Sequence, residues 1–237
     1  KPKDFPAFSD DTEEILFAAP RSGQHPAPRA QLLYDFSEEV PGGPDIVATQ
    51  APRVFAAPLV WKDDCTPGLI KAVQTFMAAD RPHRSAEERL AFAQHQLILR
   101  ESGALLEASR LVQHSEAFHH FVRQLGYVSA DFYVRYPVEL CVERRLLYAE
   151  ADLWVETPSQ LAVFKFLGLT ENMKKWKNAV QHPSCGFPWL YRAMQEAAPR
   201  KKLQLYAVFP FDGQLTELSP STTFSGNFKG SPADLFK

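Results

Sequence analysis

Proline is the strongest constraint on what this chain can fold into: nine of its 19 prolines lie in the first 60 residues. Each fixes φ and removes a backbone donor, so the first quarter is expected to be extended rather than helical. Large apolar side chains punctuate the same stretch, among them Phe5, Phe8, Leu32, Tyr34, Phe36, Phe55, Leu59 and Trp61. Such groups are costly in water unless a surface shelters them, whether the chain's own body or a neighbouring molecule. Residues 1–61 therefore read as a Pro-rich extended arm. The chain begins at Lys1 and not Met, as expected either after removal of a leader or if the sequence starts beyond a further segment; residues 1–60 are no transit peptide themselves, having five basic against nine acidic residues.

Beyond the arm the composition predicts a folded protein. With 237 residues, 45% of them hydrophobic, the chain has the size and apolar content for a substantial core. Its longest apolar runs, such as Leu97–Leu99 and Leu161–Phe164, fall far short of the roughly 18–20 residues that span a bilayer, so no transmembrane segment is expected. A formal charge of −2 excludes a protein that coats a polyanion over its whole surface and leaves room only for a local basic patch. Cys65, Cys141 and Cys185 are odd in number, widely spaced and free of Cys-x-x-Cys, so no disulfide framework or cysteine zinc module is indicated.

From Thr66 the apolar residues recur at helical spacing. Thr66-Pro67 supplies a capping hydroxyl and a proline at the first helical position, ahead of the stripe Leu69, Val73 and Phe76. Ser85-Ala86-Glu87-Glu88 is a capping box opening a helix over 86–101. After Gly103 the pattern resumes, Ser115 is expected to cap a further helix, and Gly126 to end it in the left-handed conformation. Residues 127–136 read as a loop or short helix. Pro137 then predicts a long helix with Leu140, Leu147 and Trp154 every seven residues, and Thr157-Pro158-Ser159-Gln160 predicts another that Gly168 stops. Pro188 opens one more, ended by Pro199. Leu203 to Phe209 alternate, and Asp212-Gly213 predicts a two-residue hairpin turn before Gln214 to Leu218. The expected fold is mainly α: an irregular helical body (62–200), a C-terminal β-hairpin (201–218), and extended arms at 1–61 and 219–237.

The densest polar cluster is His114-Ser115-Glu116 with His119-His120, where Glu116 and His119 have the Glu-x-x-His spacing of some metal-binding helices. A second such motif is missing and Phe118 and Phe121 mark a buried stripe, so core-edge histidines are expected rather than a metal site. Cys185 lies among connector-like residues, His182-Pro183-Ser184-Cys185-Gly186, and the paired carboxylates Asp63-Asp64 and Glu87-Glu88 fall where turns and helix starts favour negative charge. Neither Gly-x-Ser-x-Gly nor a phosphate-binding glycine loop occurs. No catalytic, cofactor-binding or metal residue is assigned, no cofactor is expected, and the chain reads as a non-enzyme.

One charge asymmetry stands out. Residues 171–202 hold seven cations, Lys174, Lys175, Lys177, Arg192, Arg200, Lys201 and Lys202, against the two anions Glu171 and Glu196. Lysine and arginine gain affinity for nucleic-acid phosphates by counterion release without reading bases, so these seven are candidate RNA contacts.

Anchored arms, a helical body and a local basic patch, together with the non-Met start, resemble the lineage-specific accessory proteins of mitochondrial ribosomes. That resemblance implies a matrix-located structural subunit that grips neighbouring proteins and touches rRNA through the patch. Two other readings remain: an accessory subunit of a respiratory or ATP-synthase complex, and a soluble helical enzyme using the His114–His120 cluster.

Overall fold

The computed structural model describes residues 45–62, 66–142, 145–168 and 186–221. Within them lie four helices, α1 (Pro67–Ala79), α2 (Ala86–Leu99), α3 (Ala108–Gln124) and α4 (Phe187–Ala197). Seven strands form one sheet: β1 (Ile46–Ala48), β2 (Arg53–Val54), β3 (Asp131–Val142), β4 (Arg145–Glu156), β5 (Gln160–Phe166), β6 (Lys202–Phe209) and β7 (Gln214–Pro220). Among the confidently placed residues helix accounts for 37% and strand for 30%, which overturns the mainly α expectation. No helix among the described residues is long and apolar enough to cross a membrane.

The sheet order is β1-β7-β6-β5-β4-β3, with β2 also paired to β7. Every pairing is antiparallel except β5 with β6, whose connection carries α4. Parallel neighbours need such a crossover, and α4 covers one face of the sheet while α1 to α3 cover the other. Side-chain alternation shows the two faces directly. On β5, Leu161 and Val163 join α4's Phe187, Leu190 and Met194 in one core. Ala162, Phe164 and Phe166 join α1's Phe76 and α3's Phe118 in the second. Phe118 sits at the centre of that second core, edge-on to Phe55, Phe164 and Phe166 at 5.5–5.6 Å between centroids.

Several local expectations are met. Leu69 N donates to Thr66 Oγ1 at 3.1 Å, and the Ser85/Glu88 capping box has both of its bonds, at 2.9 and 3.2 Å. Gly126 has φ +100°, and α4 ends at Ala198 just before Pro199. The β6–β7 pair forms, but its loop is four residues long, because Phe209 pairs with Gln214. Phe211 thereby turns into the core, and Gly213, at φ +62°, lies so close to the 55–59 segment that a Cβ there would stand 2.2 Å from Ala56 O.

The helices expected after Pro137 and Thr157 are strands, and 131–136, expected to be a loop or short helix, belongs to β3. The spacing of Leu140, Leu147 and Trp154 fits a helix, but each turns out to lie in a hairpin in which Val142 pairs with Arg145. Thr157 keeps its expected local bond, accepting from Gln160 N at 3.0 Å. Thr157 N also donates to Gln160 O at 2.9 Å, so the same side-chain chemistry closes a strand turn instead of starting a helix. Ser115 caps nothing: α3 is continuous from Ala108, and Ser115 fills one position of its buried stripe between Leu111 and Phe118.

Residues 45–61 lie on the body's own sheet. β1 and β2 extend the β7 edge, Leu59 is buried, and Trp61 stands edge-on to Phe211 at 5.3 Å.

Candidate functional site

The irregularity that shapes the surface lies at one level of the β3–β4 hairpin. Register is the same on both sides of it, with Val134 opposite Leu153 and Tyr136 opposite Ala151, but Arg135 and Asp152 between them leave the ladder. Arg135 takes φ +50°, an uncommon conformation for a side-chain-bearing residue. Alternation reverses there. Above it, Tyr133 is opposite Trp154, whose indole belongs to the α4-side core; below it, Val138 and Leu140 belong to that same core. Tyr133 and Tyr136 consequently share one face although three positions apart.

The result is a three-ring platform. Tyr136 lies over Trp154 with centroids 4.7 Å apart and planes inclined by 31°, and Tyr133 stands 5.7 Å from Tyr136. Trp154 is buried at 3% exposure, whereas Tyr133 and Tyr136 keep 43% and 37%. The platform is tied to the 200–202 turn through Glu156. Its carboxylate accepts from Trp154 Nε1 at 3.1 Å and, through the other oxygen, from Lys201 Nζ. Lys201 Nζ also donates to Thr157 O at 2.7 Å. Hydrogen bonding to Lys201, opposed by partial burial and assisted by the indole, holds the Glu156 carboxyl below its ordinary value.

The expected RNA-contact residues distribute unevenly around this feature. Lys174, Lys175 and Lys177 lie outside the described residues. Arg200 and Lys202 are exposed on either side of Lys201, with no ion partner among the described residues, while Lys201 is paired with Glu156. Arg192 is on α4 beside Glu196, 3.6 Å away. The structure thus ties Lys201 alone to the platform, while Lys202, preceding Leu203 of the α4-side core on β6, lies on the opposite face of the sheet. Sequence reasoning missed Tyr133 and Tyr136, although the run of aromatic and β-branched residues in 127–136 is a strand signal.

Asp152, across from Arg135, also carries no sequence motif. With β4 and β5 no longer paired beyond Leu153 and Phe164, the Asp152 carboxylate accepts from Phe166 N at 2.7 Å in place of a ladder carbonyl. Burial pushes this acid up, with Lys165, the Phe166 amide and Lys71 opposing. A shifted carboxyl of this kind is also what a catalytic acid or base requires.

The histidine cluster is divided between roles. Burial lowers the pKa of His114 to about 4, and its ring packs edge-on to Phe55 at 5.1 Å. His119, likewise at about 4 through burial, bonds through Nε2 to Asp80 O at 3.1 Å. His120 is exposed and bonds to Gln124. Glu116 takes the Arg89 guanidinium, so the Glu-x-x-His pair points at two different partners. Among the described residues no three His, Cys, Asp or Glu side chains are grouped to hold a metal ion.

Arg89 is the centre of that polar network. It donates to the fully buried Asp80 carboxylate through Nε (3.0 Å and 3.2 Å) and Nη2 (2.7 Å), and to Glu116 through Nη1. Burial would raise the Asp80 pKa, but the hydrogen bonds and charge of Arg89 keep it below the usual carboxylate range. This network joins α1, α2 and α3.

No protein-family model matches the chain, and no curated protein matches it.

Proposed function

We propose that this chain is a non-catalytic structural subunit of a large ribonucleoprotein in the mitochondrial matrix, a mitochondrial ribosome or its assembly intermediate. The observation that supports the reading is the pair of half-exposed tyrosines, Tyr133 and Tyr136, on the outer strand of the described sheet, set on a buried Trp154 that Glu156 links to Lys201. Rings anchored on a buried indole and left in water make a ready contact surface for another component. The polar groups best suited to chemistry are engaged inside the fold: Asp80 with Arg89, His119 with the Asp80 carbonyl, and Asp152 with the Phe166 amide.

Gradient sedimentation of the tagged chain from an organelle lysate tests this. Co-migration with rRNA-containing particles, lost on ribonuclease treatment, is the expected result. Sedimentation with inner-membrane complexes would favour a respiratory or ATP-synthase accessory subunit, and a lone monomer that converts a metabolite would end the proposal. Charge reversal at Lys174, Lys175 and Lys177 is expected to weaken incorporation most at low salt, with the difference from the parent shrinking as salt is raised.

A further inference from the structure

We infer that Arg81 and Arg84, on the turn between α1 and α2, form a clamp for a phosphate group of the RNA backbone. This deepens the ribonucleoprotein reading and rests on it for RNA as the source of the phosphate. The turn itself sets the two side chains together. Arg84 N donates to Arg81 O at 3.1 Å, closing a four-residue turn with Pro82 at its second position, where the proline ring fixes the φ that such turns need. The first and fourth residues of a turn of this kind have Cα atoms less than about 7 Å apart. Each guanidinium then rests on its own aromatic ring, Arg81 over Phe132 of β3 at 5.4 Å and Arg84 over Phe92 of α2 at 5.7 Å.

The donors that the fold does not use define the ligand. Arg81 Nη1 is committed to the end of α1, donating to Ala78 O at 2.9 Å and to Asp80 O at 2.7 Å. Arg81 Nε and Nη2 have no acceptor among the described residues and are not sealed from water. That edge of a guanidinium carries two parallel N–H bonds, which match a pair of phosphate oxygens. Neither arginine makes an ion pair among the described residues. The Asp80 carboxylate faces Arg89 instead, and Glu88, which feels the charge of Arg84 and His83, accepts from Ser85 N. Burial, and after it the charge of Arg84, pull Arg81 down to about 10, so it stays ionised near neutral pH while two like charges are held together against their repulsion. A phosphodiester bound by both relieves that repulsion and leaves the base unread.

The test uses the purified full chain and a fluorescein-labelled oligouridylate RNA of about 12 nucleotides, read by anisotropy at about 50 and 200 mM salt. Arg84→Ala is expected to weaken binding by between about 10- and 150-fold and to lower the slope of log affinity against log salt by about 0.7. Arg81→Lys keeps the charge, so its salt slope should match the parent's, yet it should still lose about 10-fold or more, because an ammonium lacks the two-donor edge. Arg110→Ala removes an exposed cation from α3 and should bind like the parent. If Arg81→Lys fails to fold by circular dichroism, Arg84→Ala, whose side chain is exposed, still decides.

Arg84→Ala binding like the parent would overturn the inference. So would Arg81→Lys at full affinity, a loss at Arg110→Ala as large as that at Arg84→Ala, or capture of a labelled polyglutamate peptide in place of RNA. If the parent binds no oligonucleotide yet sediments with rRNA, the clamp falls and the subunit reading stands. If it binds the oligonucleotide through these two arginines but sediments alone in the lysate, the ribosomal reading falls and the clamp stands.

Discussion

Arg89→Met tests how the three-helix layer is held together. The substitution keeps much of the apolar stem but removes all three Arg89–Asp80 contacts, at 2.7, 3.0 and 3.2 Å. Asp80 has no exposure to water and the Arg89 side chain only 8%, so the remaining carboxylate is left as a buried charge without its guanidinium. Removing one partner of such a pair costs about 3–5 kcal/mol, most of it the desolvation of the stranded charge. At roughly 2–4 °C per kcal/mol for a chain of this size, the melting temperature should fall by about 6–20 °C. Urea unfolding at unchanged m-value gives the loss directly. The double variant Asp80→Asn/Arg89→Met removes both charges and should recover a large part of it, giving a coupling energy of at least about 1 kcal/mol in the cycle. Because the folded Asp80 pKa lies below its unfolded value near 3.8, the stabilisation is present above that value and disappears as pH falls through the folded pKa. An Arg89→Met loss under about 1 kcal/mol, or a double variant as damaged as the two single changes added together, would refute the reasoning.

Three further outcomes follow from the same structure. Asp152→Asn keeps an oxygen for the Phe166 amide while removing a charge whose folded pKa is raised, so stability at neutral pH should hold or rise; Asp152→Ala, lacking the acceptor, should lose about 1–3 kcal/mol in urea unfolding. His114 and His119 titrate near 4 in the folded chain against 6.5 unfolded, so the unfolded state takes up their protons first; stability should drop as pH falls from about 6.5 to 4, and a His114→Gln/His119→Gln variant should show a shallower pH dependence of its urea midpoint. Gly213→Ala combines positive φ with a Cβ 2.2 Å from Ala56 O, and should lower the melting temperature by more than the few degrees that about 1 kcal/mol represents.

The parts of the fold legible in the sequence are those decided by short-range chemistry. Thr66-Pro67, the Ser85/Glu88 box, Gly126 and the Pro188 helix start all act through backbone groups within a few residues, and each does locally what its residue types favour. What failed depended on distant partners. Leu140 and Leu147 prove to be opposite each other across a hairpin, a pairing that their spacing along the chain also allows a helix to mimic. Thr157 and Gln160 make the bond expected of a helix start, and only the neighbouring strands decide that it closes a turn. At the candidate site, Arg200, Lys201 and Lys202 were visible as charge. Tyr133 and Tyr136 were not visible as a pair, because a separation of three residues places strand side chains on opposite faces unless the backbone breaks between them, and nothing in the residue types announces the break at Arg135.

That break has a further effect on how the molecule behaves in a crowded solution. β3 is the last strand on its side of the sheet among the described residues, and a straight terminal strand is a template on which other chains can grow fibrils. Here Arg135, at φ +50°, drops out of the ladder and Pro137 removes a donor two residues later. An exposed pair of rings can therefore sit on this strand without the continuous row of backbone donors and acceptors from which polymerisation would be seeded.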